Sequence, residues 1–136
     1  MPPLRQLFYV SRIASGFSDS AVHAILAASR RNNQRRDITG CLIFSGRHFA
    51  QMLEGDPAAL NELVTRIAAD PRHTDLVVLV DRAVRLRQHP EWSMGYLYNL
   101  DLVDRLEQLA LGQLPAEAEM LELMVKLKTD SVMGSL

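Results

Sequence analysis

The sequence predicts an α+β domain of the ferredoxin-like type, β-α-β-β-α-β with an added fifth strand. Three observations carry that expectation. Apolar stretches of strand length and period recur at 4–11, 38–46, 48–54, 75–81 and 92–100. Two stretches with helical apolar spacing lie between the first and second strands and between the third and fourth. The two middle strands are separated by little more than Ser45-Gly46, a hairpin turn, which places both helices on one face of a mostly antiparallel sheet.

Each element has its own local reason. "LRQLFYVS" alternates Leu7, Tyr9 and Ser11 on one face with Phe8 and Val10 on the other. "SDSAVHAILAASRRNN" reads as a helix with Ser18 as N-cap, an apolar stripe of Val22, Ile25, Leu26 and Ser29, and Arg30, Arg31, Asn32 and Asn33 at its end. "ITGCLIFSG" and "HFAQMLEG" form the hairpin. "DPAALNELVTRIAAD" is a helix with Asp56 as N-cap, Pro57 at its first position and Leu60, Leu63, Val64 and Ile67 facing inward. "DLVVLVD" and "WSMGYLYNL" complete the sheet. Phe8, Val10, Ala50 and Met52 make the second face apolar as well, so something must cover it. The amphipathic stretches 101–111 and 115–130 are expected to do so as a helical hairpin on that far face, or to pack on a partner. The expected organisation is therefore a main domain over 1–100 and a two-helix extension over 101–136.

The bulk properties exclude several classes of function. The length of 136 residues suits one domain with a real core, and the 48% apolar and 23% charged content is that of a soluble globular protein. A net charge of −1 supplies no field for nucleic acid or for an anionic membrane, and no stretch approaches membrane-spanning length. The lone Cys41 cannot form an internal disulfide, which fits a reducing cytoplasm. Histidines 23, 48, 73 and 89 show no ligand spacing, so no metal site is expected. There is no phosphate-cradling glycine loop and no G-x-S-x-G elbow. Arg30, Arg31, Arg35 and Arg36 read as a solvated helix end, because no stacking aromatics interleave them.

The polar residues on the helix-covered face are harder to dismiss. Gln51 stands between Phe49 and Leu53 on a face that should be core. A buried amide without partners for its C=O and NH2 costs a few kcal/mol. Tyr9 shares that face, and Asn32 falls on the side of Ile25 and Ser29. A phenol and three amides in a slot between two helices, floored by Ile25, Phe49, Leu53 and Ile67, suit a flat heterocycle with a polar edge.

The segments "LFYVSR", "SRRNNQRRDITGCLIFS", "HFAQMLEG", "RIAADPRHTD" and "PEWSMGY" resemble, in order and spacing, the signature segments of BLUF domains, the flavin-based blue-light sensors. The resemblance covers about 4–98 and implies a ferredoxin-like fold with flavin between the helices. It implies that Tyr9 donates an electron to the excited flavin and that Gln51 lies between Tyr9 and the flavin N5/O4 edge. Asn33, preceded by Asn32, would bond the pyrimidine edge, and Ile25 and Ile67 would sandwich the ring. Ser29, Phe49, Leu53, Arg66, Asp70 and His73 match further positions along the pocket or the ribityl chain, and Trp92 and Met94 match the pair tied to signal output. Ala50 stands where the family carries a larger aliphatic, on the face away from flavin.

The resemblance further implies non-covalent flavin, with FAD foremost and FMN or riboflavin as alternatives that share the ring. Light would leave Gln51 either rotated or tautomerised, with a stronger hydrogen bond at O4 and a small red shift. No nucleophile or general base is required, and 101–136 is too short for a cyclase or phosphodiesterase, so the expectation is a photoreceptor and not an enzyme. Output would pass to a partner protein or a homo-oligomer, a dimer or larger. The alternatives are an acylphosphatase-type hydrolase using Arg12, on fold analogy alone, and a flavin-binding protein insensitive to light.

Overall fold

The computed structural model describes residues 3–17, 19–87 and 94–131. Its element order is β1 (Leu4–Ile13), α1 (Asp19–Arg36), β2 (Thr39–Phe44), β3 (His48–Gly55), α2 (Pro57–Ala69), β4 (His73–Val84), β5 (Gly95–Tyr98), a 3-10 turn (Leu100–Leu102), α3 (Val103–Ala110) and α4 (Glu117–Asp130). The strands form one sheet in the order β4-β1-β3-β2-β5. Every pairing is antiparallel except that of β2 with β5. This is the ferredoxin-like arrangement with the added edge strand that the sequence predicts.

Both faces of the sheet are apolar, and each has its own core. Leu7, Tyr9, Leu42, Phe44, Phe49 and Leu53 pack with Val22, Ile25 and Leu26 of α1 and Leu60 of α2. Phe8, Val10, Cys41, Ile43, Ala50 and Met52 pack on the other side with Leu106 and Leu109 of α3 and Met120, Met124 and Leu127 of α4. The C-terminal helices therefore cover the far face as a hairpin, each buried leucine or methionine there contributing roughly 1.5–3 kcal/mol of burial. A Schellman closure ends α3: Gly112 has φ 81, its N–H bonds the Leu109 carbonyl and the Gln113 N–H bonds that of Gln108.

Three element boundaries differ from the expectation. Helix α1 does not stop at its asparagines but runs to Arg36, because Asp37 takes the left-handed position with φ 55. The Ile38 N–H then closes on the Asn33 carbonyl at 2.9 Å. Strand β4 extends well beyond 75–81, because β1 pairs with it from Leu4–Val84 to Ile13–His73 across two register shifts. The last strand is described only over Gly95–Tyr98. The N-cap expected at Ser18, and Trp92, lie outside the described residues. The start of α2 follows expectation: Asp56 accepts from the N–H groups of Ala58 at 3.0 Å and Ala59 at 3.2 Å, with Pro57 following it.

One close approach fixes the middle of the sheet. A Cβ on Gly40 would stand 1.9 Å from the Met52 carbonyl oxygen, so only glycine lets β2 lie this close to β3. Two residues further along β2, Leu42 pairs with Gln51 on one side and Tyr96 on the other, which sets β5 beside the centre of the site.

Candidate functional site: a slot between two helices

A slot opens between α1 and α2 over the centre of the sheet. It brings together Tyr9, Ile25, Ser29, Asn32, Asn33, Gln51, Arg66, Ile67, Asp70 and His73, all of them expected from the sequence. Ile25 and Ile67 supply apolar surface from the two helices. Phe49 and Leu53 are fully buried in the same core but do not line the slot; Phe49 stacks on Phe44 at 5.0 Å and lies 4.7 Å from the His73 ring. Ala28, Leu63 and Arg72 also line it and were not assigned from the sequence. Ala28 could have been found as the i+3 neighbour of Ile25. The signal for Arg72 was its place between Asp70 and His73.

The asparagines reach the slot as members of a helix, not as the residues that end it. Because α1 continues to Arg36, Asn33 lies within its body, buried, and Asn32 stands beside it at the exposed edge. Gln51 and Tyr9 reach it from the sheet. They are direct partners in the β1–β3 register, and the alternation of both strands turns them to the helix side.

The Tyr9 hydroxyl donates to Gln51 Oε1. Gln51 Nε2 donates to the Met94 sulfur at 3.4 Å. Gln51 is 3% exposed and Met94 is fully buried, just before β5. A thioether is a weak acceptor, so the amide holds one strong bond and one weak one, with a second N–H and a lone pair to spare. Burial, reinforced by the charge of Asp70, pushes the Tyr9 phenol above its ordinary value, so the hydroxyl keeps its proton and acts as donor.

The mouth of the slot is charged but internally compensated. Asp70 accepts from Arg72 through Nε at 3.0 Å and Nη2 at 2.6 Å, and from the Arg72 backbone N–H at 2.9 Å. Those side-chain bonds hold the Asp70 carboxyl below its usual range and raise Arg72. His73 Nδ1 lies 2.9 Å from Ser11 Oγ, and burial lowers its pKa against the pull of Asp70. Arg12, which a hydrolase reading would use, is on the far side, bonded to Glu107 and Asp75. Among the described residues no cluster could hold a metal ion, and no helix is long and apolar enough to cross a membrane.

The fold and the slot define a class: a ferredoxin-like α+β domain whose slot between two helices is lined by a phenol, three amides and two aliphatic side chains. The sequence model of BLUF, "Sensors of blue-light using FAD", matches residues 4–95, and the chain belongs to that family. It is 35% identical over 92 residues to the photoactivated adenylate cyclase subunit beta of Euglena longa, covering 67% of this chain and 11% of that protein. It is 34% identical over 102 residues to the blue light- and temperature-regulated antirepressor BluF of Escherichia coli (strain K12), covering 75% of this chain and 25% of that one. The chain thus spans a small part of these curated relatives. Its fold superposes on the dark-state structure of the BLUF protein BlrB with a TM-score of 0.78 and 32% identity, covering 93% of this chain and 96% of that one. The chain is a flavin-based blue-light sensor, and FAD is the cofactor that defines the family.

Proposed function

We propose that Tyr9, Gln51 and Met94 form the light-operated switch of this sensor. The observation that carries the reading is the buried hydrogen-bond chain from the Tyr9 hydroxyl through the Gln51 amide to the Met94 sulfur, at the wall of the slot. The donor set fits a flavin: Gln51, Asn33 and Asn32 supply both donors and acceptors for its polar edge, and Ile25 and Ile67 supply the faces. Ser29, Arg66, Asp70 and His73 would line the remainder. Bound there, flavin supplies blue-light absorption and an excited state that takes up an electron.

The protein's own part follows from its bonds. Tyr9 gives the electron and its hydroxyl proton and later takes both back, so nothing is consumed. Gln51 already accepts that proton in a hydrogen bond and is the group through which it passes. On return, Gln51 is left rotated or tautomerised, with its bonds redistributed. An amide with two bonding arrangements is a two-state element, and Met94 at the head of β5 is the neighbour that feels the change. From β5 the chain continues into the 3-10 turn and α3, which supports reading 1–100 as the sensor and 101–136 as a two-helix output unit. The receiver is an effector protein in the same cytoplasmic space, or a second copy of this chain.

The test is the visible spectrum of the purified protein before and after blue light. A reversible small red shift is expected. A colourless protein, or a yellow one that light leaves unchanged, sinks the reading.

A further inference from the structure

Met94 is held at both ends. Its sulfur accepts from Gln51 Nε2 at 3.4 Å, and its backbone carbonyl accepts from Arg30 Nε at 3.0 Å. Arg30 is half-buried on α1, one residue after Ser29 of the slot, and Met94 precedes Gly95, which pairs with Cys41 of β2. One residue therefore joins the amide at the wall of the slot to a helix and to the start of an edge strand.

The chemistry of the sulfur makes this bond consequential. A thioether has no hydrogen to give. Any rearrangement that withdraws the Gln51 N–H and turns its oxygen toward Met94 sets two acceptors against each other, and Met94 must move to relieve them. The Arg30 bond, a guanidinium on a carbonyl and so charge-assisted, resists that movement. We propose that Arg30 is a positioning residue for the switch: by fixing the Met94 carbonyl it raises the energy of the rearranged Gln51 state relative to the one in which Nε2 bonds the sulfur. The inference rests on the Tyr9–Gln51–Met94 reading and adds a residue that is not among those lining the slot.

The test compares flavin-loaded wild type, Arg30→Ala, Met94→Leu and the double variant. Arg30→Ala should slow the dark return after a blue flash by roughly three- to tenfold, the range expected for one such hydrogen bond. In the Met94→Leu background, where the sulfur is gone, the same change should alter the rate less than twofold. The dark-state 13C-methyl resonance of Met94, assigned by its loss in Met94→Leu, should shift in Arg30→Ala; that readout does not depend on light. Arg30→Met, which keeps an apolar stem but has no hydrogen to donate to the Met94 carbonyl, gives the same comparison if the alanine variant folds poorly. An unchanged or faster return, an equal slowing without the sulfur, or an unmoved methyl resonance overturns the assignment while leaving the switch reading intact. A wild-type chain without a red shift overturns both.

Discussion

Tyr9 and Gln51 stand directly opposite each other in the β1–β3 ladder, and the phenol donates to the amide oxygen inside the core. Two polar side chains that would each be costly to bury alone satisfy one another, and the pair sits at the wall of a ligand slot. Tyr9→Phe should bind flavin and lose the red shift, as should Gln51→Leu. Each leaves the other's polar atom unmatched, so each should also lower stability by about 1–3 kcal/mol in urea unfolding. A Phe variant that photocycles normally would remove Tyr9 from the mechanism.

On the proposed reading, the buried Asn33 amide is a second anchor for the flavin. Asn33→Ala should weaken flavin binding by roughly tenfold, the worth of one lost hydrogen bond in a dry site, measured by quenching of flavin fluorescence. Because ligand binding stabilises the folded state, the thermal midpoint of wild type should rise with added FAD more steeply than that of the variant.

Glu107 ties α3 to the sheet through Arg12 and His48, which themselves face each other across β1 and β3. The Arg12 bond, then the His48 bond, lowers the Glu107 carboxyl from 4.5 to about 2. Since the folded pKa is the lower one, the unfolded chain binds the proton more readily. The stabilisation is complete above about pH 4.5 and is lost as the pH falls toward 2. The side chain is 38% exposed, so solvent screening limits the contribution to about 1 kcal/mol or less. Denaturant unfolding of wild type and Glu107→Gln should differ by that amount near pH 6 and converge toward pH 2.

Gly40→Ala should be among the most damaging single changes in the sheet. The added Cβ would meet the Met52 carbonyl at 1.9 Å, so β2 must move away from β3. A loss on the order of 3 kcal/mol is expected from overpacking against backbone, seen as an earlier urea midpoint. An alanine variant as stable as wild type would show that β2 can shift freely.

Leu127, near the end of α4, is buried in the far-face core. Leu127→Ala should cost about 2–4 kcal/mol if α4 folds as part of the domain. A loss below about 0.5 kcal/mol, the range of surface substitutions, would mean that α4 does not contribute to this core.

Much of the molecule was legible along the chain because its signals are local. Period-2 alternation placed Leu7, Tyr9, Gln51 and Leu53 on one face and Phe8, Ala50 and Met52 on the other, and the sheet keeps that division. The apolar second face announced that the C-terminal helices would cover it. What misled was also local. Asparagines often end helices, but Asp37 took the left-handed cap and left Asn33 inside α1. The length of β4 was hidden because it comes from pairing with β1, and its own sequence turns polar at both ends.

By itself the sequence determined the faces of each strand, the two helix stripes and the family, since periodicity and motif spacing are properties of the chain. Only the tertiary structure decided what bonds to what. That Gln51 turns its amide nitrogen to Met94, that Arg30 holds the carbonyl of that same methionine, and that Arg72 neutralises Asp70 at the slot mouth are outcomes of packing. The first two join residues about 43 and 64 positions apart, and no local pattern encodes a partner at that distance. The third is local in sequence, yet it forms only because α2 ends at Asp70 and turns Arg72 back onto it.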